Sequence, residues 1–274
     1  REKEKQRMKD TEPQDPSDIK FYQEESVFKP ANLLREAKRQ MQIPQGNVPA
    51  LCVLDPDGDM AAYLRDEKEA RKDPYWACYH STLYDTELNG RSVGVLPCAV
   101  GAPYATLVAE QLFASGCECL VSITSSGVVQ EEEPPKDFAL ITEAFRDEGT
   151  SDHYLPREEA GLLKARLPKG VRKAGEELPW FPARSWTTDA PYRETPSALE
   201  AMKERGANCV EMEAAALYAF AKVEQQDLLC FAHLTNTMAQ EEGDFEKGEA
   251  FGSHNALNLL EKLIQELEDQ NHLS

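Results

Sequence analysis

Residues 102–127 read APYATLVAEQLFASGCECLVSITSSG, and this stretch decides the fold class. Its first half repeats large side chains at helical spacing, and Gly116 predicts the C-cap of that helix. The second half, CECLVSITSSG, predicts a strand that ends in a small-residue loop, Thr124–Gly127. A strand signal also precedes the helix, in SVGVLPCAV. The stretch therefore predicts a β-α-β unit.

The same alternation of strand and helix signals continues along the chain. A hairpin is predicted around Asn89-Gly90, because Asn-Gly suits a two-residue turn. The later predicted elements are a strand at 137–146, a helix at 157–167, a strand at 183–189, a helix at 197–205, a buried helix within 209–220, a strand at 227–236 and an amphipathic helix from 245 to about 268. This order predicts an α/β fold: one domain, residues 19–274, with a mixed, mostly parallel sheet flanked by helices. Residues 1–18 are polar and interrupted by proline, so we expect a mobile arm there.

Charge and cysteine usage narrow the possible partners. The formal charge is 30 − 49 = −19, which repels nucleic acid and anionic membranes. The seven cysteines lie mostly in apolar runs without C-x-x-C spacing, which favours reduced core thiols over a metal site. No apolar run approaches the ~20 residues of a membrane helix, and the first residues lack the apolar part of a signal peptide. We expect a cytoplasmic protein with no nucleic-acid, membrane, metal or cofactor partner.

Residues 209–220, CVEMEAAALYAF, place two glutamates at the start of an almost wholly apolar helix. Such a helix must be covered by protein all round, which buries a carboxylate at its start. Glu213 is then either a helix-capping acid or a ligand-binding one. A carboxylate offers two acceptor oxygens to a vicinal diol, and a thioether such as Met212 suits the apolar face of a sugar. This pattern favours a functional Glu213.

Two further stretches carry weaker signals. The hydroxyls and the glycine of Thr124–Gly127 suit a sugar or a phosphate, although Ser/Gly turns are common. Gly101 precedes a helix start at Pro103, where free N–H groups and the helix dipole attract anions. A plain helix start explains Gly101 equally well, so neither stretch decides the function alone.

VEMEAAALYAF resembles the ribose-binding signature of the purine/uridine phosphorylase family, and FRDEGTSDHYLP is similar to a loop of its uridine phosphorylases. CAVGAPYATLVAEQL, SITSSG and TTDAPYRE occur in the family's order, so the resemblance covers about residues 26–265. It implies the family's fold and cleavage of the N-glycosidic bond of a small-molecule nucleoside. It also implies phosphate as a possible co-substrate, no cofactor, and a homo-oligomer between dimer and hexamer with sites near subunit contacts.

The resemblance implies roles for particular residues of this chain. Glu211, Met212 and Glu213 correspond to the ribose-binding segment, with Glu213 as the ligand of the diol. Asn236 is expected to support the departing base, with Thr235 beside it. Asp189 is either a base contact or a helix N-cap.

The phosphate or acceptor side is less well defined by the resemblance. Its candidates are Gly101, Ser125, Ser126, Arg146 and His80. Arg146 lies in the loop that resembles the family, as does His153, and each either touches ligand or supports the loop. His80 corresponds to groups that reach the site from a neighbouring subunit, but a strand histidine is also often only packed or exposed.

Three departures from the family bear on the reaction. Phosphate-using members carry Gly-Asp-Pro-x-Arg after the first strand, where this chain has Leu54–Asp59, LDPDGD, and Ser122 replaces a second arginine. Loss of both guanidinium groups removes the donors that suit phosphate. The places of the uracil-reading Gln and Arg fall near Thr195 and Ser197. Thr235-Asn236 resembles the trimeric purine enzymes instead, so the pattern favours a purine.

Three functions remain open from the sequence. The first is phosphorolysis of a purine nucleoside through a rebuilt anion site, and the second is hydrolysis with water in place of phosphate. The third is non-catalytic nucleoside binding, because a fold can outlast its chemistry. The acidic first loop predicts that any base release depends only weakly on phosphate.

Overall fold

The computed structural model describes residues 19–130, 132–157, 161–236, 247 and 249–268, and ten strands within them form one sheet. The strands are β1 (Leu51–Asp55), β2 (Arg71–Lys72), β3 (Tyr84–Leu88), β4 (Arg91–Pro97), β5 (Cys119–Val128), β6 (Phe138–Asp147), β7 (Leu162–Lys164), β8 (Trp180–Thr188), β9 (Cys209–Glu211) and β10 (Asp227–Asn236). The helices are α1 (Pro30–Met41), α2 (Asp59–Glu67), α3 (Ala102–Ala114), α4 (Pro196–Glu204), α5 (Ala214–Val223) and α6 (Ser253–Glu268). Short 3-10 turns cover Ser151–His153, Pro191–Arg193 and Glu249–Gly252.

The sheet is mixed, and its two longest ladders, β5 with β10 and β6 with β8, are parallel. β5 is the central strand, because it pairs with β1, β9 and β10. From β10 the sheet continues through β6 and β8 to β9, and β9 returns to β5, so five strands close a ring. β4, β3 and β2 extend the sheet beyond β1. The predicted α/β fold with a mixed, mainly parallel sheet is confirmed.

Helices cover both faces of the sheet and supply the core. α3 and α5 pack on one face, where Leu112, Leu217 and Phe220 are buried. α2 and α6 pack on the other, with Leu64 and Leu260 among the buried side chains. Residues 214–221 of α5 are all buried, as its apolar sequence predicts. No helix in the described ranges is both long and apolar enough to cross a bilayer.

One gap in the sheet prepares the site. β10 runs along one edge of β5 from Cys119 to Gly127. β1 pairs with the other edge only as far as Ser122, and β9 joins that edge at Gly127. Among the described strands, none pairs with residues 123–126 of β5 on this edge. Their backbone groups on this edge therefore meet loops or ligand instead of a strand.

The structure corrects several predictions. The helix predicted at 157–167 is wrong, because residues 162–164 form β7 and pair with the edge of β6, which overrides helix propensity. Residues 158–160 lie outside the described part. The small-residue loop Thr124–Gly127 is also wrong, since these residues continue β5 under the pairing with β10.

The C-terminal helix begins later than predicted, and two helices were missed. α6 starts at Ser253, because Ala250 and Phe251 have left-handed backbone angles in the preceding turn. Phe245 and the predicted arm, 1–18, lie outside the described residues. α1 and α2 were not predicted. The hairpin is confirmed, with positive φ at both Asn89 and Gly90 between β3 and β4.

Candidate active site

Glu211 is buried and anchors the start of the segment at residues 209–220. One of its oxygens accepts hydrogen bonds from the hydroxyls of Ser185 (2.8 Å) and Thr187 (2.6 Å). The other accepts from the backbone N–H groups of Glu213 and Ala214, both at 2.7 Å. Burial raises the pKa of Glu211, but these four donors oppose that shift by stabilising the carboxylate. Glu211 thus caps the start of α5 and fixes the backbone of Glu213.

Glu213 is also buried but has far fewer partners. Its Oε1 accepts a 2.7 Å hydrogen bond from the backbone N–H of Gly101, at the start of α3. Its Oε2 is buried and has no hydrogen-bond partner among the described residues. Burial, with the nearby charge of Glu211, raises the pKa of Glu213 to about 8. A buried carboxyl oxygen without a partner is costly, so it marks a place where a ligand donor fits.

Ser125 lies in the open part of β5, next to Thr124, whose hydroxyl helps to lower the pKa of Glu213. The Ser125 backbone N–H and hydroxyl both donate to Oδ2 of Asp57, at 3.0 Å and 2.6 Å. Ser126 is buried, and its hydroxyl donates to the Thr124 carbonyl at 3.3 Å. Of these two predicted acceptor-side residues, Ser125 is thus already bonded to a carboxylate and Ser126 bonds within its own strand.

The acidic turn after β1 is held by internal contacts. Asp55 is buried, and its Oδ2 accepts from the Ala61 N–H at 2.8 Å at the start of α2. Burial raises the pKa of Asp55 to about 7, and the charges of Asp57 and Asp59 add to the rise. Lys247 Nζ lies 2.6 Å from Asp59 Oδ2 and 3.4 Å from Asp57 Oδ1. No group of His, Cys, Asp or Glu in the described part of the chain is arranged to hold a metal ion.

Asn236 and the ribose segment meet at one residue of β5. In register, Gly127 is opposite Asn236 of β10 and opposite Val210 of β9. The last residue of β10 and the start of the 211–213 segment therefore flank the same glycine. Thr235 is buried and Met212 is half-buried. The side chain of Asn236 lies outside what the structure describes.

A groove of about 570 Å³ opens beside Pro103, two residues after Gly101. Its walls come from α1, the first turns of α3, the 149–154 segment and Asp189. Asp189 is exposed, and its Oδ2 accepts from the Gly149 N–H at 3.0 Å, which ties two loops together. His153 is exposed and lines the same groove. Asp189 and His153 thus line the same groove beside the first turns of α3.

Arg146 and His80 bond to residues other than Glu213. The buried guanidinium of Arg146 donates four hydrogen bonds within its own loop, to Ser151 Oγ, Asp152 Oδ1 and the carbonyls of Leu155 and Pro156, at 2.7 to 2.9 Å. These bonds commit it to holding residues 151–156. His80 is exposed in an irregular segment and not in a strand, and its carbonyl accepts from the Tyr104 hydroxyl at 2.9 Å.

Sequence reasoning missed several groups that the structure brings to this site. Ser185 and Thr187 hold Glu211, but hydroxyls in a buried strand give no signal of that role. The contact of Asp57 with Ser125 joins residues 68 positions apart, and that of Lys247 with Asp59 joins residues 188 positions apart. Only the acidic composition of the first loop hinted at an unusual arrangement.

The chain is similar to known proteins over most of its length. Residues 50–266 match the sequence model of the phosphorylase superfamily. A guanosine phosphorylase from Halorubrum lacusprofundi is 24% identical over 181 residues, which cover 65% of this chain and 68% of the relative. A DeoD-type purine nucleoside phosphorylase from Colwellia psychrerythraea is 28% identical over 142 residues, which cover 50% of this chain and 61% of the relative. The matches thus span roughly two thirds of these relatives' lengths.

Solved structures share the fold at low sequence identity. A uridine phosphorylase from Vibrio fischeri has a TM-score of 0.64 at 15% identity, covering 86% of this chain and 99% of that one. A 5'-methylthioadenosine/S-adenosyl homocysteine nucleosidase from Campylobacter jejuni has a TM-score of 0.63 at 16% identity, covering 80% and 100%. A purine nucleoside phosphorylase from Toxoplasma gondii, in complex with immucillin-H, has a TM-score of 0.62 at 13% identity, covering 82% and 93%.

Proposed function

The chain belongs to the phosphorylase superfamily, and on that premise we propose that it cleaves the N-glycosidic bond of a nucleoside, with purine nucleosides favoured. The observation that carries the proposal is the buried Oε2 of Glu213, which has no hydrogen-bond partner among the described residues. It lies on a buried carboxyl group whose other oxygen is fixed by Gly101. A ribose diol supplies two hydroxyl donors, which suit one such carboxyl group.

Glu211 has a supporting part in this proposal. Each of its two carboxyl oxygens already accepts two hydrogen bonds from the protein. We therefore assign it to positioning Glu213 and Met212 rather than to direct contact with ribose. Met212, which is half-buried between the two glutamates, would lie against the apolar face of the sugar.

Asn236 is assigned to the base. In the proposed reaction the bond from the sugar C1′ to the base nitrogen breaks, and its electron pair goes to the base while positive charge develops on the sugar. An oxygen of the acceptor, water or phosphate, forms the new bond to C1′, and when the acceptor is water the proton that it loses passes to the departing base or to solvent. An amide donor at the end of β10 would stabilise the developing base anion without transferring a proton. Asn236 faces Gly127 in register, which supports a position beside a ribose held by Glu213. The purine preference rests on Thr235-Asn236 and on the two purine-acting relatives named above.

In this proposal the sugar is transferred to water in preference to phosphate. The turn after β1 has acids where an arginine would help phosphate, and Ser122 is buried with an unpartnered hydroxyl among the described residues. Arg146, the candidate to replace the missing arginines, is bonded to residues 151 and 152. Assembly as a homo-oligomer and a cytoplasmic location stay predictions.

The test is base release from a panel of purine and pyrimidine nucleosides by the full chain. The proposal expects release of at least one purine base, with slower release from uridine and cytidine. Binding of purine nucleosides without any release would contradict catalysis and favour a binding protein. Faster release from pyrimidine nucleosides would contradict the assignment of Thr235-Asn236 to a purine.

A further inference from the structure

Asp57 makes a set of contacts that a turn residue does not need. Its Oδ2 accepts from both the N–H and the hydroxyl of Ser125, at 3.0 Å and 2.6 Å. Its Oδ1 lies 3.4 Å from the ammonium group of Lys247. One amide, one hydroxyl and one ammonium group therefore surround a single carboxylate. Proteins use this combination of donors to bind oxyanions.

The position of this donor set follows from the gap in the sheet. Ser125 lies in the part of β5 that neither β1 nor β9 covers, so its donors face a loop instead of a strand. Thr124, the preceding residue, is near enough to affect Glu213. Ser125 is thus one residue along β5 from a group that interacts with Glu213.

A small pocket beside Asp57 adds an independent observation. It is lined by Asp57, Ser125, His233 and Ser253, among others. Ser253 is buried, and its hydroxyl has no hydrogen-bond partner in the described ranges. A buried hydroxyl without a partner indicates room for a further polar group in this pocket.

We propose that the carboxylate of Asp57 is a built-in occupant of the anion subsite at Ser125, and that it excludes inorganic phosphate from the acceptor position. The role of Asp57 in acceptor choice rests on the proposed nucleoside cleavage, whereas its effect on phosphate binding is measured without any nucleoside. A phosphate dianion would have to displace Asp57 from Ser125 and would then meet the charges of both Asp57 and Asp59. A water molecule carries no charge and meets no such repulsion. Asp57 is thus the residue that sets acceptor choice.

The test measures binding of inorganic phosphate to the full chain by calorimetry or phosphorus NMR, without nucleoside. Asp57→Ala removes the occupant and leaves Ser125 and Lys247 in place. We expect it to bind phosphate about tenfold more tightly than the unaltered chain, as a charge-assisted set of donors becomes available. Asp57→Asn keeps a side-chain oxygen that accepts from Ser125, so its affinity for phosphate should rise less.

Asp59→Ala is the matched control, because it removes the same charge beside Lys247 without freeing Ser125. Its affinity for phosphate should rise less than that of Asp57→Ala. Adding Ser125→Ala to Asp57→Ala should abolish the rise in affinity. Equal gains for the two Ala variants, or no gain for Asp57→Ala in a sample whose melting curve shows that it is folded, would overturn the inference. If Asp57→Ala gains phosphate but no nucleoside is cleaved, the inference stands and the proposed function fails.

Discussion

The backbone N–H of Gly101 donates a 2.7 Å hydrogen bond to Glu213 Oε1, although the two residues are 112 positions apart in the chain. Gly101 has a φ of +88°, a conformation that favours glycine, and it precedes the first turn of α3. The start of one helix thereby orients the acid at the start of another. The sequence suggested Gly101 as an anion site, and in this structure its N–H group donates to a carboxyl oxygen of the chain itself.

Glu213→Gln is expected to lower nucleoside turnover by about tenfold or more while leaving the fold intact. The amide keeps the side-chain volume but replaces one acceptor oxygen. The donors of a bound diol favour the carboxylate over the protonated form, and a hydrogen bond to a carboxylate contributes ~1.5–3 kcal/mol. The measurement is kcat/KM for the best purine nucleoside. Glu200→Gln on the exposed surface of α4 is the control and should change nothing. Unchanged turnover in a folded Glu213→Gln variant would refute the role of Glu213.

The raised pKa of Glu213 predicts a pH dependence of stability. The folded chain keeps this proton up to about pH 8, whereas an unperturbed glutamate loses it near 4.5. Between these values the folded state binds one proton more than the unfolded state. The free energy of unfolding therefore falls as pH rises, by at most ~1.4 kcal/mol per pH unit from this group.

Urea denaturation at several pH values between about 5 and 8 checks this slope. Glu213→Gln should show a shallower decline than the unaltered chain, because glutamine does not titrate. Some decline should remain, since the pKa of Asp55 is also raised by burial, to about 7. Parallel curves for the two proteins would contradict the assigned proton.

The sequence predicted those parts of the site that depend on local pattern. The all-apolar run after Glu213 predicted a buried helix with an acid at its start, and the structure has one. The sequence did not predict the features that depend on how distant strands pair. Residues 162–164 form a strand because β6 offers a free edge, and Ser125 meets Asp57 because β1 stops before β9 begins. Such pairings depend on the assembled sheet and leave no local signal.

Thr187→Val is expected to destabilise the fold by ~1–3 kcal/mol. The Thr187 hydroxyl donates to Glu211 at 2.6 Å and accepts from the Ala215 N–H at 3.0 Å, so valine leaves two buried groups without that partner. Thr195→Val, which removes the side-chain cap of exposed α4, is the comparison and should cost about 1 kcal/mol. Chemical denaturation measures both. A Thr187→Val cost at or below that of Thr195→Val would contradict the anchoring role of this hydroxyl.

Phosphate should have little effect on the rate of base release. The acidic turn and the Asp57 contact at Ser125 both disfavour a dianion beside the sugar. The assay titrates phosphate from zero while free ribose and ribose 1-phosphate are quantified separately. We expect free ribose at a rate nearly independent of phosphate. Strictly phosphate-dependent formation of ribose 1-phosphate would be the opposite result and would mean that another cation completes the anion site.

The central claim is that Glu213 holds the ribose diol while the glycosidic bond breaks. The most direct measurement compares kcat/KM for a purine ribonucleoside with that for its 2′-deoxy analogue, in the unaltered chain and in Glu213→Gln. The ratio of the two ratios cancels the intrinsic difference in bond lability between the sugars. The account predicts that the preference for the ribonucleoside over the deoxynucleoside falls by about tenfold in Glu213→Gln. The deoxynucleoside lacks the 2′-hydroxyl and the variant lacks the carboxylate that accepts from it, so each change removes the same interaction. An identical preference in both proteins would mean that the diol is held elsewhere.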